Sequence, residues 1–136
     1  KGLLELEEIL TDITRTQDFQ QQFYNLIYAN LSYVEEHLDF YRLFLKERLS
    51  VQLLSHEETS RLIREKHHRL HRRVAEFMQT GIDQGYLRPG NPEDYCIAVT
   101  GIITHFAAYW IMFDSSQPLT TKTDLILELI LSGIKK

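Results

Sequence analysis

The residues best equipped for chemistry lie in one short run, Arg64-Glu65-Lys66-His67-His68-Arg69-Leu70-His71-Arg72-Arg73. His67 and His71 are four apart, which on a helix puts both imidazoles on one face at the spacing of a two-histidine metal site. Zinc needs a third and a fourth ligand, and the sequence offers only scattered candidates such as His37, His56 and His105. A di-iron carboxylate bundle would need two Glu-x-x-His pairs; Glu65 and His68 supply one, with no second copy. His68 points away from the apolar stripe of its helix, His67 sits inside the arc and His71 at its margin. The run therefore reads better as pocket-lining or solvated imidazoles than as a metal site. There is no Gly-rich phosphate loop and no nucleophile elbow, and Cys96 has no evident activating partner, so no enzyme, cofactor or metal is expected. The alternative left open is a stand-alone helical-bundle metal protein or enzyme using His67, His71 and Glu65.

The cations of the same helix, Arg61, Arg64, Lys66, Arg69, Arg72 and Arg73, alternate with Glu57, Glu58, Glu65 and Glu76. That is the pattern of a solvated face with i,i+4 pairs. The whole chain carries a net charge of −4, so it lacks the positive field that phosphate backbones require. A single cysteine, Cys96, cannot form an intramolecular disulfide and fits a reducing compartment as a small buried hydrophobe. No signal peptide opens the chain. No run reaches the roughly 20 apolar residues of a membrane span, because His105 and several Thr interrupt the longest candidate. A soluble, cytoplasmic protein without membrane contact is expected.

The elements that must carry these residues are helices. With 136 residues and 43% hydrophobic content, the chain has the size of one domain, residues 1–136. Its three prolines and six glycines cluster where apolar periodicity breaks, and no stretch alternates as a strand. Six helices are predicted, at about 2–14, 18–36, 38–54, 56–84, 92–114 and 120–135, in an all-α fold. Phe23, Ile27, Leu31 and Val34 line one face of the second, and Ile63, Leu70, Val74, Phe77, Met78 and Gly81 one face of the fourth. Gly85 suits a left-handed residue after the fourth helix; Asn91 suits an N-cap, Pro92 the first helical position, and Glu93 and Asp94 the positive end of the fifth.

The fifth and sixth predicted helices have almost no water face. Val99, Ile102, Phe106 and Tyr109 fill one side of the fifth, Ile97, Ala107, Ala108 and Ile111 the other. In the sixth, Leu125 to Leu131 and Ile134 leave only a narrow stripe of Asp124, Glu128 and Ser132. A helix that is apolar all round must be covered on both sides, so these two are expected to pack against a second copy as an intersubunit four-helix bundle. The expected homodimer interface is Ile97, Gly101, His105, Ala108, Ile126, Leu129, Ile130 and Gly133.

Three segments in order, His37 to Phe44, Gly81 to Pro89 and Asn91 to Glu93, give the chain a family likeness. It resembles, over essentially its whole length, the C-terminal regulatory domain of TetR-type (tetracycline-repressor-like) bacterial transcription regulators. The resemblance implies a dimer whose small-molecule effector alters operator affinity, usually as a repressor. It also implies a helix-turn-helix head upstream of Lys1, absent from this sequence, through which operator DNA would be bound. Residues 1–14, an amphipathic pattern already under way at Lys1, would be the remnant of the helix linking that head to the body. A small apolar or aromatic effector is expected, held by Tyr24, Tyr28, Tyr41, Phe44, His67, His71, Phe77, Thr104, Phe106 and Trp110, a supply of apolar walls with a few polar groups.

Overall fold

Asp18 opens the first helix of the computed structural model, which describes residues 18–43 and 57–136, the side chains of 57–64, 66 and 67 excepted. The Asp18 carboxylate accepts the Gln21 N–H at 2.8 Å, satisfying one of the unpaired donors at the start of α1, Phe19–Glu36. Phe19, Phe23, Leu26, Ile27 and Leu31 recur at helical spacing and are all buried. The helix stops at His37, whose amide reaches back to Tyr33 and Val34, and residues 38–43 resume a helical path. The predicted helix 2–14, the rest of 38–54 and the expected start of the fourth helix at Ser55 lie outside the described residues.

Helix α2, Glu57–Asp83, buries Val74, Phe77, Met78 and Gly81, the second half of its predicted stripe. Its end is built as the glycine pattern implies. Gly85 takes φ +76°, and the amides of Tyr86 and Leu87 both turn back to the Gly81 carbonyl, at 2.9 and 3.0 Å. Leu87 is thereby driven into the core, where it is fully buried. The Asn91 side chain then accepts the Glu93 N–H at 2.9 Å and Pro92 occupies the first position of α3, Pro92–Phe113.

The last predicted helix is divided. A 3-10 turn, Leu119–Lys122, precedes α4, Thr123–Ile134. The Thr121 hydroxyl and amide both bond the Pro118 carbonyl, which favours the tighter winding. Helix α2 packs along α3, while α1 lies against α4, the 3-10 turn and α3. At the centre, the Phe19 ring stacks on Phe77 with centroids 4.5 Å apart, and Phe23 meets both rings edge-on. Among the described residues no strand forms. An isolated antiparallel bridge joins Leu87 to Lys135, with Arg88 N–H donating to Ile134 O at 2.8 Å and Lys136 N–H to Tyr86 O at 3.0 Å.

Candidate functional site

The residues expected to hold an effector divide by depth. Tyr24 and Tyr28, one turn apart on α1, are brought together as parallel rings with centroids 6.2 Å apart; Tyr24 is half-buried and Tyr28 exposed. Tyr41 is half-buried beside Tyr33, edge to face at 6.3 Å. Burial, and secondarily Tyr33, pushes its hydroxyl above the ordinary value of 10.0. Phe106 and His71 are half-buried on α3 and α2. Phe77 and Trp110 are sealed instead. Phe77 lies under Phe19, and the Trp110 indole N–H donates to the Gln117 carbonyl, where it fastens the connection after α3. Thr104 is exposed on α3, while Phe44 and the His67 side chain lie outside the described residues.

Cys96 is the buried hydrophobe its sequence context suggests. Its thiol donates to the His71 carbonyl at 3.3 Å, which joins α3 to α2. Burial pushes the thiol above 9.0, with Glu93 adding to the effect and a Thr100 hydrogen bond opposing it. Around the histidine run, Glu65 and His68 are exposed. Among the described residues no three of His, Cys, Asp and Glu gather closely enough to hold a metal ion.

Helices α3 and α4 each show two faces. On α3, Cys96, Val99, Ile103, Ala107, Trp110 and Ile111 close the core. Ile97, Tyr109, Met112 and Phe113 stand outside it at 56–69% exposure, and Leu125 and Leu129 of α4 are 42% and 50% exposed. Of the positions expected in a dimer interface, Ile97, Gly101, His105, Leu129 and Gly133 are exposed and Ala108 is half-buried. Ile126 and Ile130 are placed differently. They are 0% and 5% exposed, buried in the chain's own core, because the inward face of α4 runs through Thr123, Ile126, Leu127, Ile130 and Leu131. By length and composition alone α3 would suffice to cross a bilayer, contrary to the expectation from its interrupting polar residues; here its inner face closes the core.

Several side chains unremarked in the sequence hold these faces in place. Glu35 bonds Thr120, Arg42 Nη2 donates to Ser115 Oγ at 2.9 Å, and an Arg88 guanidinium N–H donates to Gly133 O. Each pair is separated by 45 residues or more, and a single sequence carries no signal for such pairing.

The described residues form an all-α body with a sealed aromatic core, partly open tyrosines beside it and an uncovered apolar face. Residues 30–130 match the tetracyclin repressor-like C-terminal domain family, and the chain belongs to that family. It is thus a ligand-sensing regulatory domain of a TetR-type transcription regulator, and the reading as a stand-alone metal protein is not favoured. No curated protein matches the chain by sequence. Solved structures share its fold. The TetR family regulator PfmR from Thermus thermophilus superposes with a TM-score of 0.77 at 19% identity, over 96% of this chain and 69% of that one. FadR from Bacillus subtilis, in complex with stearoyl-CoA, gives 0.76 at 19% identity, over 98% and 70%. The ketosteroid regulator KstR2 of Mycobacterium tuberculosis gives 0.72 at 19%, over 99% and 68%.

Proposed function

We propose that this chain is the sensing and self-associating body of a repressor whose operator is bound by residues outside the present sequence. Two copies associate through the outer faces of α3 and α4. The observation that carries this reading is the apolar face itself: Ile97, Tyr109, Met112, Phe113, Leu125 and Leu129 are all large and uncovered. About half of each such side chain is still exposed, so covering the remainder is worth roughly 1 kcal/mol apiece, which favours a second copy over water across the whole face. Gly101 and Gly133 lie on the same helices, and a Cβ on either meets nothing within 4 Å, so a second helix has room to approach closely there. The effector is a small apolar or aromatic molecule held against the half-buried side chains Tyr24, Tyr41, His71 and Phe106 and the exposed Tyr28. A neighbour of this fold was solved with stearoyl-CoA, a ligand with a long apolar chain. Effector binding favours one arrangement of the two copies and so changes operator affinity by population shift.

Sedimentation equilibrium of the full chain tests the association. Leu129→Asp should give a folded monomer, whereas Ile126→Asp should lose helical signal, because it puts a charge into the chain's own core. A wild type that stays monomeric at micromolar concentration would end this reading. For the effector, a panel of acyl thioesters and aromatic acids is screened by thermal shift. A true ligand stabilises the fold in proportion to ln(1 + [L]/Kd), and Tyr24→Ala should weaken that response; a panel with no rise in midpoint removes the effector class.

A further inference from the structure

We propose that Glu35 is a positioning residue that fixes the start of α4, and with it the uncovered apolar face, to the last turn of α1. The proposal rests on the self-association reading above. The first amides of a helix lack internal partners, and here no local side chain serves them. Pro118 before the 3-10 turn and Lys122 before α4 both make no side-chain cap. The acceptor arrives from 85 residues away: Glu35 Oε2 accepts the Thr120 N–H at 2.9 Å, and the Thr120 hydroxyl lies 3.2 Å from Oε2 and 3.4 Å from Oε1.

A carboxylate at this position interacts favourably with the positive end of the turn, and its hydrogen bonds are charge-assisted. The connection continues inward. The Thr120 carbonyl accepts the hydroxyl of Thr123, which is 1% exposed at the first position of α4. Leu119, at the head of the same turn, is also 1% exposed. A few residues beyond Glu35, Arg42 grips Ser115 in the same connection between α3 and α4. An acidic residue at position 118 would serve the turn's donors equally well without joining two distant elements. Glu35 does both, so a displacement of α1, which also carries Tyr24 and Tyr28, pulls on the end of α4 that precedes Leu125 and Leu129.

Amide hydrogen exchange across residues 119–123 and sedimentation equilibrium of the full chain test this together. Glu35→Ala should speed exchange of the Thr120 amide by about tenfold or more and weaken self-association by about fivefold or more, with helical content unchanged. Glu35→Gln keeps an acceptor oxygen at the same reach and should restore both readouts to within about threefold of wild type. Glu35→Asp keeps the charge but is one methylene shorter, and should behave like Glu35→Ala; it serves in place of the alanine variant if that one fails to fold. Faster exchange with an unmoved association constant would overturn the proposal, since Glu35 would then be a local cap only. No change in either readout, or a glutamine variant no better than alanine, would overturn it too. A monomeric wild type would overturn the self-association reading along with this one, whereas a dimeric wild type with an unmoved constant in Glu35→Ala overturns this one alone.

Discussion

Replacing Gly81 by alanine sets two effects of opposite sign against each other. Gly81 lies in the last turn of α2, and in an open helix the change would gain roughly 1 kcal/mol from helix propensity and from the reduced freedom of the unfolded chain. At this position an added Cβ would stand 2.4 Å from Phe19 Cζ, 2.7 Å from Phe19 Cε1 and 2.9 Å from Leu87 Cδ1. Neither neighbour can retreat freely. The Phe19 ring is stacked on Phe77, lies 5.2 Å from Tyr86 and meets Phe23 edge-on, and Leu87 is fully buried. Forcing an extra methyl into a close-packed core costs about 1–3 kcal/mol, and an approach of 2.4 Å belongs to the upper part of that range, about 2–3 kcal/mol, so overpacking wins by roughly 1–2 kcal/mol. For a chain of this size that lowers the thermal midpoint by about 3–8 °C. The assay is urea and thermal unfolding of the full chain at one fixed concentration, followed by circular dichroism. The double variant Gly81→Ala/Phe19→Leu, which removes the ring in the way, should recover part of the loss. A Gly81→Ala protein as stable as wild type, or more so, would show that the ring yields at little cost and would refute the reasoning.

Two further expectations concern Cys96. Because the thiolate is the reactive form and this thiol is buried with its pKa raised, a disulfide reagent at pH 8 should modify it at least about 100-fold more slowly in the folded protein than in denaturant; comparable rates would contradict its burial. Above pH 9 the unfolded thiol loses a proton that the folded protein retains, so the unfolded state binds fewer protons and stability falls as pH rises from 9 through the folded value. Cys96→Ala should flatten that decline by up to about 1.4 kcal/mol per pH unit, measured as urea midpoints between pH 8 and 10. Tyr41, also raised, adds its own decline above 10, and equal slopes in the two proteins would rule out the thiol as a contributor.

Much of this fold is legible residue by residue. The stop at Gly85 and the start at Asn91-Pro92 follow from backbone chemistry that only a few residue types can supply, and both are formed as the types imply. The faces of α1 and α2 follow from apolar residues at helical spacing against polar ones. The same method fails on α4 for a physical reason. Ile126 and Leu125, or Ile130 and Leu129, are adjacent in sequence and about 100° apart around the helix, and all four are aliphatic. Composition therefore shows that two sides are apolar but not which side faces home. Ile126 and Ile130 turn inward because Thr123 and Leu127 share their face, while Leu125 and Leu129 stay outside. On α3, Ile97, Gly101 and His105, expected in the interface, are exposed, while Cys96, Val99 and Ile103 turn inward. For the effector residues, side-chain type is readable but depth is not. Phe77 and Trp110 have the same aromatic character as Tyr24 and Phe106, yet they are absorbed by ring stacking and by a bond to Gln117. The long-range ties at Glu35, Arg42 and Arg88 pair common polar residues that have no shared local pattern.

The short bridge between Leu87 and Lys135 has a consequence for how the molecule opens. Its two backbone hydrogen bonds, together with the Lys135 ammonium 5.4 Å above the Tyr86 ring, bring the last residues of α4 back to the turn that precedes α3. Residues 86–136 thus form a closed ring whose loop entropy is lost once, at the bridge, rather than separately at each helix. Such a ring couples α3 to α4, so an opening that frees one end of it loosens the inward, core-facing sides of both helices.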